Sequence, residues 1–233
     1  MLTGIGAPTA WPFLNRSPQP SGVTHLALGT VTGLPAPSLT IGGVTVLAGE
    51  LLVVGVGYTV SVGLPPVIDI NGHVMVIDVS RDSTAAVLRS MIYSLVAPVS
   101  IVAGTITATW PAPFIYIAGI VASRFTGING IPEEVTSRVF LNTANPFAGP
   151  TLDYGSPRVA YGLVVTNGLV GDALGVWQPT NGLAEMHAGQ RATINAIDVK
   201  EGWNIMGGIP GGALTSIHGQ TSRRTNALAV YYD

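Results

Sequence analysis

Between Arg89 and Arg124 the chain carries no charged side chain, and the polar and apolar positions inside that run fix its meaning. Ile106, Ala108 and Trp110 alternate with Thr105, Thr107 and Thr109. Period-2 alternation marks a strand with one face buried. A spanning helix of about 20 apolar residues would fit in the available length. Against it stand Pro98, Pro111 and Pro113, each costing about 3 kcal/mol in a helix interior. Val, Ile and Thr fill much of the remainder and suit a pleated surface. The pattern predicts two strands, about Gly104–Trp110 and Phe114–Ala122, paired as a buried hairpin around the Pro-Ala-Pro corner.

Further strands are predicted at Thr24–Val31, Leu39–Ile41, Val44–Val46, Leu51–Val60, Val67–Ile70, His73–Val79 and Val87–Leu95. Beyond the hairpin they follow at Val139–Leu141, Val159–Thr166, Ala173–Gln178, Thr193–Val199, Ala213–Ile217 and Ala227–Tyr232. Gly, Pro and Asn-Gly turns separate many of them, at Asn71–His73, Gly127–Gly130, Thr166–Gly168 and Thr180–Gly182. A helix over Ser83–Leu95, capped by Ser83, competes with a strand there. The strand is favoured because the segment leads directly into the next one. No repeat of fixed period is visible. Many strands with Gly/Pro turns predict an all-β fold, an antiparallel β-sandwich or barrel.

Residues 1–23 break the pattern. Pro8, Pro12, Pro18 and Pro20 favour an extended chain, and no period is sustained. The expected organisation is an extended N-terminal arm over 1–23 and one β-sandwich domain over 24–233. Trp11, Phe13, Leu14 and Arg16 are the arm's candidate assembly contacts.

Composition sharpens this picture. Charged residues make up 9% of the 233, against about 25% in ordinary soluble domains. Such a surface is covered by Ser, Thr, Asn and Gly or buried against other chains. Net charge is −2, Lys200 is the only lysine, and the Arg223-Arg224 doublet is the only one. A nucleic-acid binder needs a basic stripe, so none is expected as a partner. With no cysteine there is neither a disulfide frame nor a Cys-based metal site. The first residues lack the positive region of a signal peptide; no export signal and no membrane anchor are expected.

Motifs for catalysis are scarce. The sequence holds no Gly-x-Ser-x-Gly elbow, phosphate loop or His-Glu-x-x-His pair. Of His25, His73, His187 and His218, His187 is singled out with Glu185 two residues before it, and a surface pair is the default reading. Asp69–Gly72 faintly resembles a calcium loop, but an Asx-type turn explains it better. Glu133-Glu134 reads as a solvated loop or helix start rather than half of a glycosidase pair. Trp110 is assigned to the core. Trp177, beside a turn, is the candidate for an exposed sugar-stacking ring, with Trp203 a weaker one. No cofactor, metal or catalytic residue is expected, and the chain is not expected to be an enzyme.

The run Val46–Tyr58, "VLAGELLVVGVGY", followed by an Asn-Gly turn, "SMIYSLVAPVSIVAGTITATW", "VASRFTGINGIP" and "YGLVVTNGLVG", resembles a β-sandwich family common in tailed-phage genomes. The likeness covers about residues 44–175. It implies a jelly-roll-like sandwich on a virion surface, of the capsid decoration (cement) type. The implied partners are the major capsid protein and further copies of the chain, a trimer by the resemblance. Arg223 and Arg224 are then candidate contacts to the capsid. A carbohydrate-binding virion module for host attachment, centred on Trp177, is the alternative.

A variant lacking residues 1–22 is expected to fold with nearly unchanged melting and to lose oligomerisation or attachment to particles. Light scattering and cosedimentation with stripped particles read this. Full oligomer mass and full occupancy without the arm would contradict it.

Overall fold

The computed structural model describes residues 22–33, 37–60, 64–83, 88–111, 115–130, 132–143, 147–152, 159–167, 177–179, 187–194, 197–205, 212–216 and 222–232. The arm residues Trp11, Phe13, Leu14 and Arg16 lie outside them. The described chain is all-β and antiparallel, as its patterning requires. The strands are β1 (Thr24–Gly33), β2 (Ser38–Val46), β3 (Leu51–Val60), β4 (Val67–Ile70), β5 (His73–Val74), β6 (Val76–Asp82), β7 (Leu88–Val96), β8 (Ile101–Thr109) and β9 (Ile115–Thr126). Then follow β10 (Pro132–Thr143), β11 (Phe147–Leu152), β12 (Val159–Asn167), β13 (Trp177–Pro179), β14 (His187–Ile194), β15 (Ile197–Ile205), β16 (Gly212–Ser216) and β17 (Ser222–Tyr232). Sheet 1 has the order β1-β9-β3-β7-β6 and sheet 2 the order β2-β8-β4-β5. Sheet 3 runs β10-β17-β12-β15-β14 and sheet 4 β11-β16-β13.

Sheet 1 is covered on both faces. Leu52, Val54, Val56 and Tyr58 of β3 pack with Ile68, Ile106, Ala108 and Trp110 beneath sheet 2. Leu51 and Val53 point the other way, into a core shared with Tyr161, Leu163, Val165 and Val199 of sheet 3. This is why the β3 sequence is apolar throughout instead of alternating. β8 covers one side only and alternates as expected: Ile106 and Ala108 are fully buried, and Trp110 is 5% exposed.

The expected β8–β9 hairpin is not formed. β8 pairs with β2 and β4 in sheet 2, whereas β9 pairs with β1 and β3 in sheet 1. The chain therefore passes from sheet 2 to sheet 1 between Thr109 and Ile115. Prolines cannot donate to a ladder, which suits a crossing better than a pairing. His73–Val79 divides for a similar reason. His73 and Val74 pair with β4, Met75 donates its N–H to Ile68 O at 2.8 Å, and β6 then joins β7. One strand thus serves two sheets. Leu39–Ile41 and Val44–Val46 are parts of the single strand β2, and Thr193–Val199 is a hairpin rather than a strand. From Leu88 to Val96 the strand is formed in place of the helix, and Ser83 N–H bonds Leu88 O at 2.8 Å while Ser83 Oγ accepts from Leu88 N at 3.1 Å.

A repeat is present that the sequence does not display. The strand order of sheets 1 and 2 recurs in sheets 3 and 4 when β10, β11, β12, β13, β14, β15, β16 and β17 replace β1, β2, β3, β4, β6, β7, β8 and β9. β1 and β10 start at Thr24 and Pro132, β3 and β12 at Leu51 and Val159, β7 and β15 at Leu88 and Ile197, a spacing of 108 or 109 residues. Within the span expected to be one domain, the described strands fall into two double-sheet units in tandem. Gly127 (φ 74°) and Gly130 (φ 73°) take the left-handed conformations of the link between them.

Trp110→Ala removes a ring packed edge-on against Tyr58, at 5.7 Å between centroids. It is expected to cost about 3–5 kcal/mol, read from denaturant unfolding. A variant as stable as the parent would contradict the packing of sheet 2 on sheet 1.

Candidate assembly surface

Apart from Leu26 on β1, the exposed large apolar side chains among the described residues fall along two stretches of the first unit. Leu64 (69% exposed), Val67, Val74, Val76 (67%) and Ile77 follow the path from β4 through β6. β5 and β6 are edge strands of sheets 2 and 1. Edges with apolar side chains are sites where other chains pair or pack. Leu47, Val96, Val99 and Val102 form the second group. Its two turns are tied together: Gly49 N–H donates to Ala97 O at 2.8 Å and Ala48 N–H to Ser100 Oγ at 3.1 Å. Beside these groups the outer face of sheet 2 is a row of hydroxyls. Thr40 pairs with Thr107, and Ser38 with Thr109. These hydroxyls hydrate the face, with Asp69 opposite Thr107 its one carboxylate among the described residues of β4 and β8.

Ionisable groups are spent on holding the layers together. Ser123 Oγ donates to Glu201 Oε1 at 2.7 Å, and Tyr161 OH to Glu201 Oε2 at 2.8 Å. His25 Nε2 lies 3.0 Å from Ser123 Oγ, and its ring stacks on Trp203 at 4.0 Å. Ser, His and Glu are thus together, but in the wrong order for a nucleophile. The serine proton goes to the carboxylate, so the histidine nitrogen donates to Ser123 rather than removing its proton. Ser123 is also fully buried. The group is a polar clasp between β1, β9 and sheet 3. Burial and the neighbouring Glu201 push the Tyr161 hydroxyl well above its usual value, so it remains a donor.

A second clasp joins the opposite end. Asp78 accepts from Tyr232 OH at 2.5 Å and from Ser94 Oγ at 2.9 Å. Burial raises its pKa despite these two donors. Asn226 Nδ2 reaches Arg81 O, Leu88 O and Ser90 Oγ at 3.0–3.2 Å. At the sheet 1–sheet 2 boundary Arg124 binds Glu50 at 3.0 Å and Thr45 O at 2.7 Å.

The residues singled out in the sequence fall as follows. Arg223 and Arg224 belong to β17 and not to a loop, Arg224 pairing with Leu141 and Asn167. Trp177 pairs with Ser216 along the edge strand β13. The side chains of these three lie outside the described residues, as do Glu185 and His218. Glu133 and Glu134 sit in β10, at a bulge, rather than in a loop or helix start. Asp69–Gly72 is the Asx turn expected, with Gly72 N–H donating to Asp69 Oδ1 at 2.9 Å. Trp110 is buried, and one face of the half-buried Trp203 is stacked by His25. The clasp residues Asp78, Ser123, Glu201 and Asn226 were missed. An isolated polar residue in an apolar strand, as in "NALAVYY", is the signal that marks them.

No known protein family matches the chain, and no curated protein matches it. Among solved structures, the crystal structure of PBSX exported protein XepA aligns over 89% of this chain and 86% of its own length, at 10% identity and a TM-score of 0.25. A likeness that distant carries no argument about function.

Asp78 sets a pH dependence. Its pKa is raised on folding, so the folded state binds the proton more tightly than the unfolded chain. The cost of the buried charge is relieved as pH falls through the raised value and is present in full at neutral pH. Asp78→Asn should therefore compare more favourably with the parent at pH 7 than at pH 4, measured by denaturant midpoints. An unchanged or reversed difference would contradict the burial of the charge.

Proposed function

We propose that the chain is a structural virion protein that works by contact and not by catalysis. In this reading it is a phage capsid decoration protein. It binds the outer shell, bridges neighbouring capsid subunits and associates with further copies of itself, as a trimer. The observation that carries the reading is the surface: two groups of exposed valine, leucine and isoleucine beside a hydroxyl-rich face, on a chain with 9% charged residues. Contiguous apolar exposure marks interaction sites, and repetition over a shell multiplies a modest contact through avidity. The sequence likeness to decoration-type proteins supplies the particle as partner. The engagement of Ser123, His25 and Glu201 in a clasp supports a non-catalytic role.

Val74→Lys with Val76→Lys, and separately Val99→Lys with Val102→Lys, alter exposed positions and are expected to change stability by no more than about 0.5 kcal/mol. At least one pair should weaken binding to stripped particles tenfold or more, about 1.4 kcal/mol. Wild-type occupancy by both variants, or a parent protein that does not bind particles, would overturn the reading.

A further inference from the structure

Sheets 1 and 3 meet in the pattern of a two-fold relation. Edge β1 lies on β14, and its counterpart β10 lies on β6, the counterpart of β14. β9 lies on β14 and β15, while β17 lies on β6 and β7. β3 lies on β15 and β12 on β7. Each of these contacts between the units has a partner contact with the roles exchanged, the pattern of an isologous interface. The relation holds for single residues. Register makes Gly119 equivalent to Asn226, Ser90 to Val199 and Arg81 to Ala192. Gly119 approaches Val199 and Ala192, and Asn226 binds Ser90 and the Arg81 carbonyl.

On a two-fold axis a residue meets its own equivalent, and this happens on β3. Gly55 is equivalent to Leu163 and Gly57 to Val165, 108 positions apart in each case. A Cβ on Gly55 would run into Leu163 Cδ1, and one on Gly57 into Val165 Cγ1. The first unit supplies the sockets and the second supplies the side chains that fill them. A first unit paired with itself would set glycine against glycine and leave a void. A second unit paired with itself would set leucine against leucine and valine against valine, with no socket for either.

We propose that the chain is one double-sheet unit present twice, and that sheets 1 and 3 are the two sides of an internalised two-fold dimer interface. The interface is keyed so that each unit takes the other as its partner and refuses a copy of itself. This face is then closed to a second chain, and any oligomer forms elsewhere on the surface. The inference does not rest on the virion reading.

The test uses the full chain with a protease site inserted after Asn129, which is exposed between buried Ile128 and Gly130. After cleavage the two pieces should stay together at the mass of the intact chain. Their unfolding midpoint should become dependent on protein concentration. Unfolded and refolded, they should give only the equimolar complex of unlike pieces by native mass spectrometry. Separation into folded pieces, or complexes of like pieces, would overturn the proposal. Gly55→Ala and Leu163→Ala provide an independent reading in the uncut chain. Each should lower the melting midpoint, and the double variant should lose less than the sum of the two losses. Additive losses would mean that the two positions do not meet.

Discussion

The burial of both faces of sheet 1 is the constraint on which the rest depends. A sheet covered on both sides cannot alternate, so its central strand is apolar at nearly every position. It also cannot hold large side chains at every position of both faces, because the layer above must come close enough to touch. Gly55 and Gly57 resolve this by giving Leu163 and Val165 room. The two apolar cores are thereby formed back to back on one sheet. Removing the contact with sheet 3 would expose Leu51, Val53, Val121 and Phe125 together, each fully buried as the chain stands. At about 1.5–3 kcal/mol for each large apolar side chain exposed, that loss is comparable to the whole stability of an ordinary domain.

Polar groups within the double core are few, and most of them bridge sheets, although the buried Asn226 Oδ1 and Trp110 Nε1 find no hydrogen-bond partner. Glu201, Asp78 and Asn226 sit where two sheets meet, and each bonds across the gap. Their arrangement specifies register between the sheets more than it adds net stability, since an apolar pair could fill the same space. The same scarcity of charge appears outside, where threonine rows and exposed valines replace the lysines and glutamates of an ordinary surface. Inside and outside together describe a protein suited to being covered.

Individual strands were readable because burial writes a period into sequence. The boundaries of β3 and β4 and the alternation of β8 follow directly from it. Sheet membership was not readable. Ile106 and Ile120 are apolar for the same reason, and nothing local says that one belongs to sheet 2 and the other to sheet 1. A Pro-Ala-Pro corner ends a strand without saying which sheet the next strand joins. The repeat was hidden by the differentiation that makes the interface work: Gly55 faces its equivalent Leu163, and Ser90 stands where the second unit has Val199, so aligned residues differ where they matter most. The clasp residues were hidden because each is a lone polar side chain whose partner lies far away in sequence, as Asn226 and Ser90 do.

The central claim is that the two units form one cooperative structure through sheets 1 and 3. Native-state hydrogen exchange of the full chain tests it most directly, because it reads the opening free energy of each strand separately. The account predicts that the slowest amides of β3 and β9 and those of β12 and β17 share one opening free energy, equal to that of global unfolding. Exchange of β12 and β17 through a distinctly smaller opening, with β3 and β9 still protected, would contradict it.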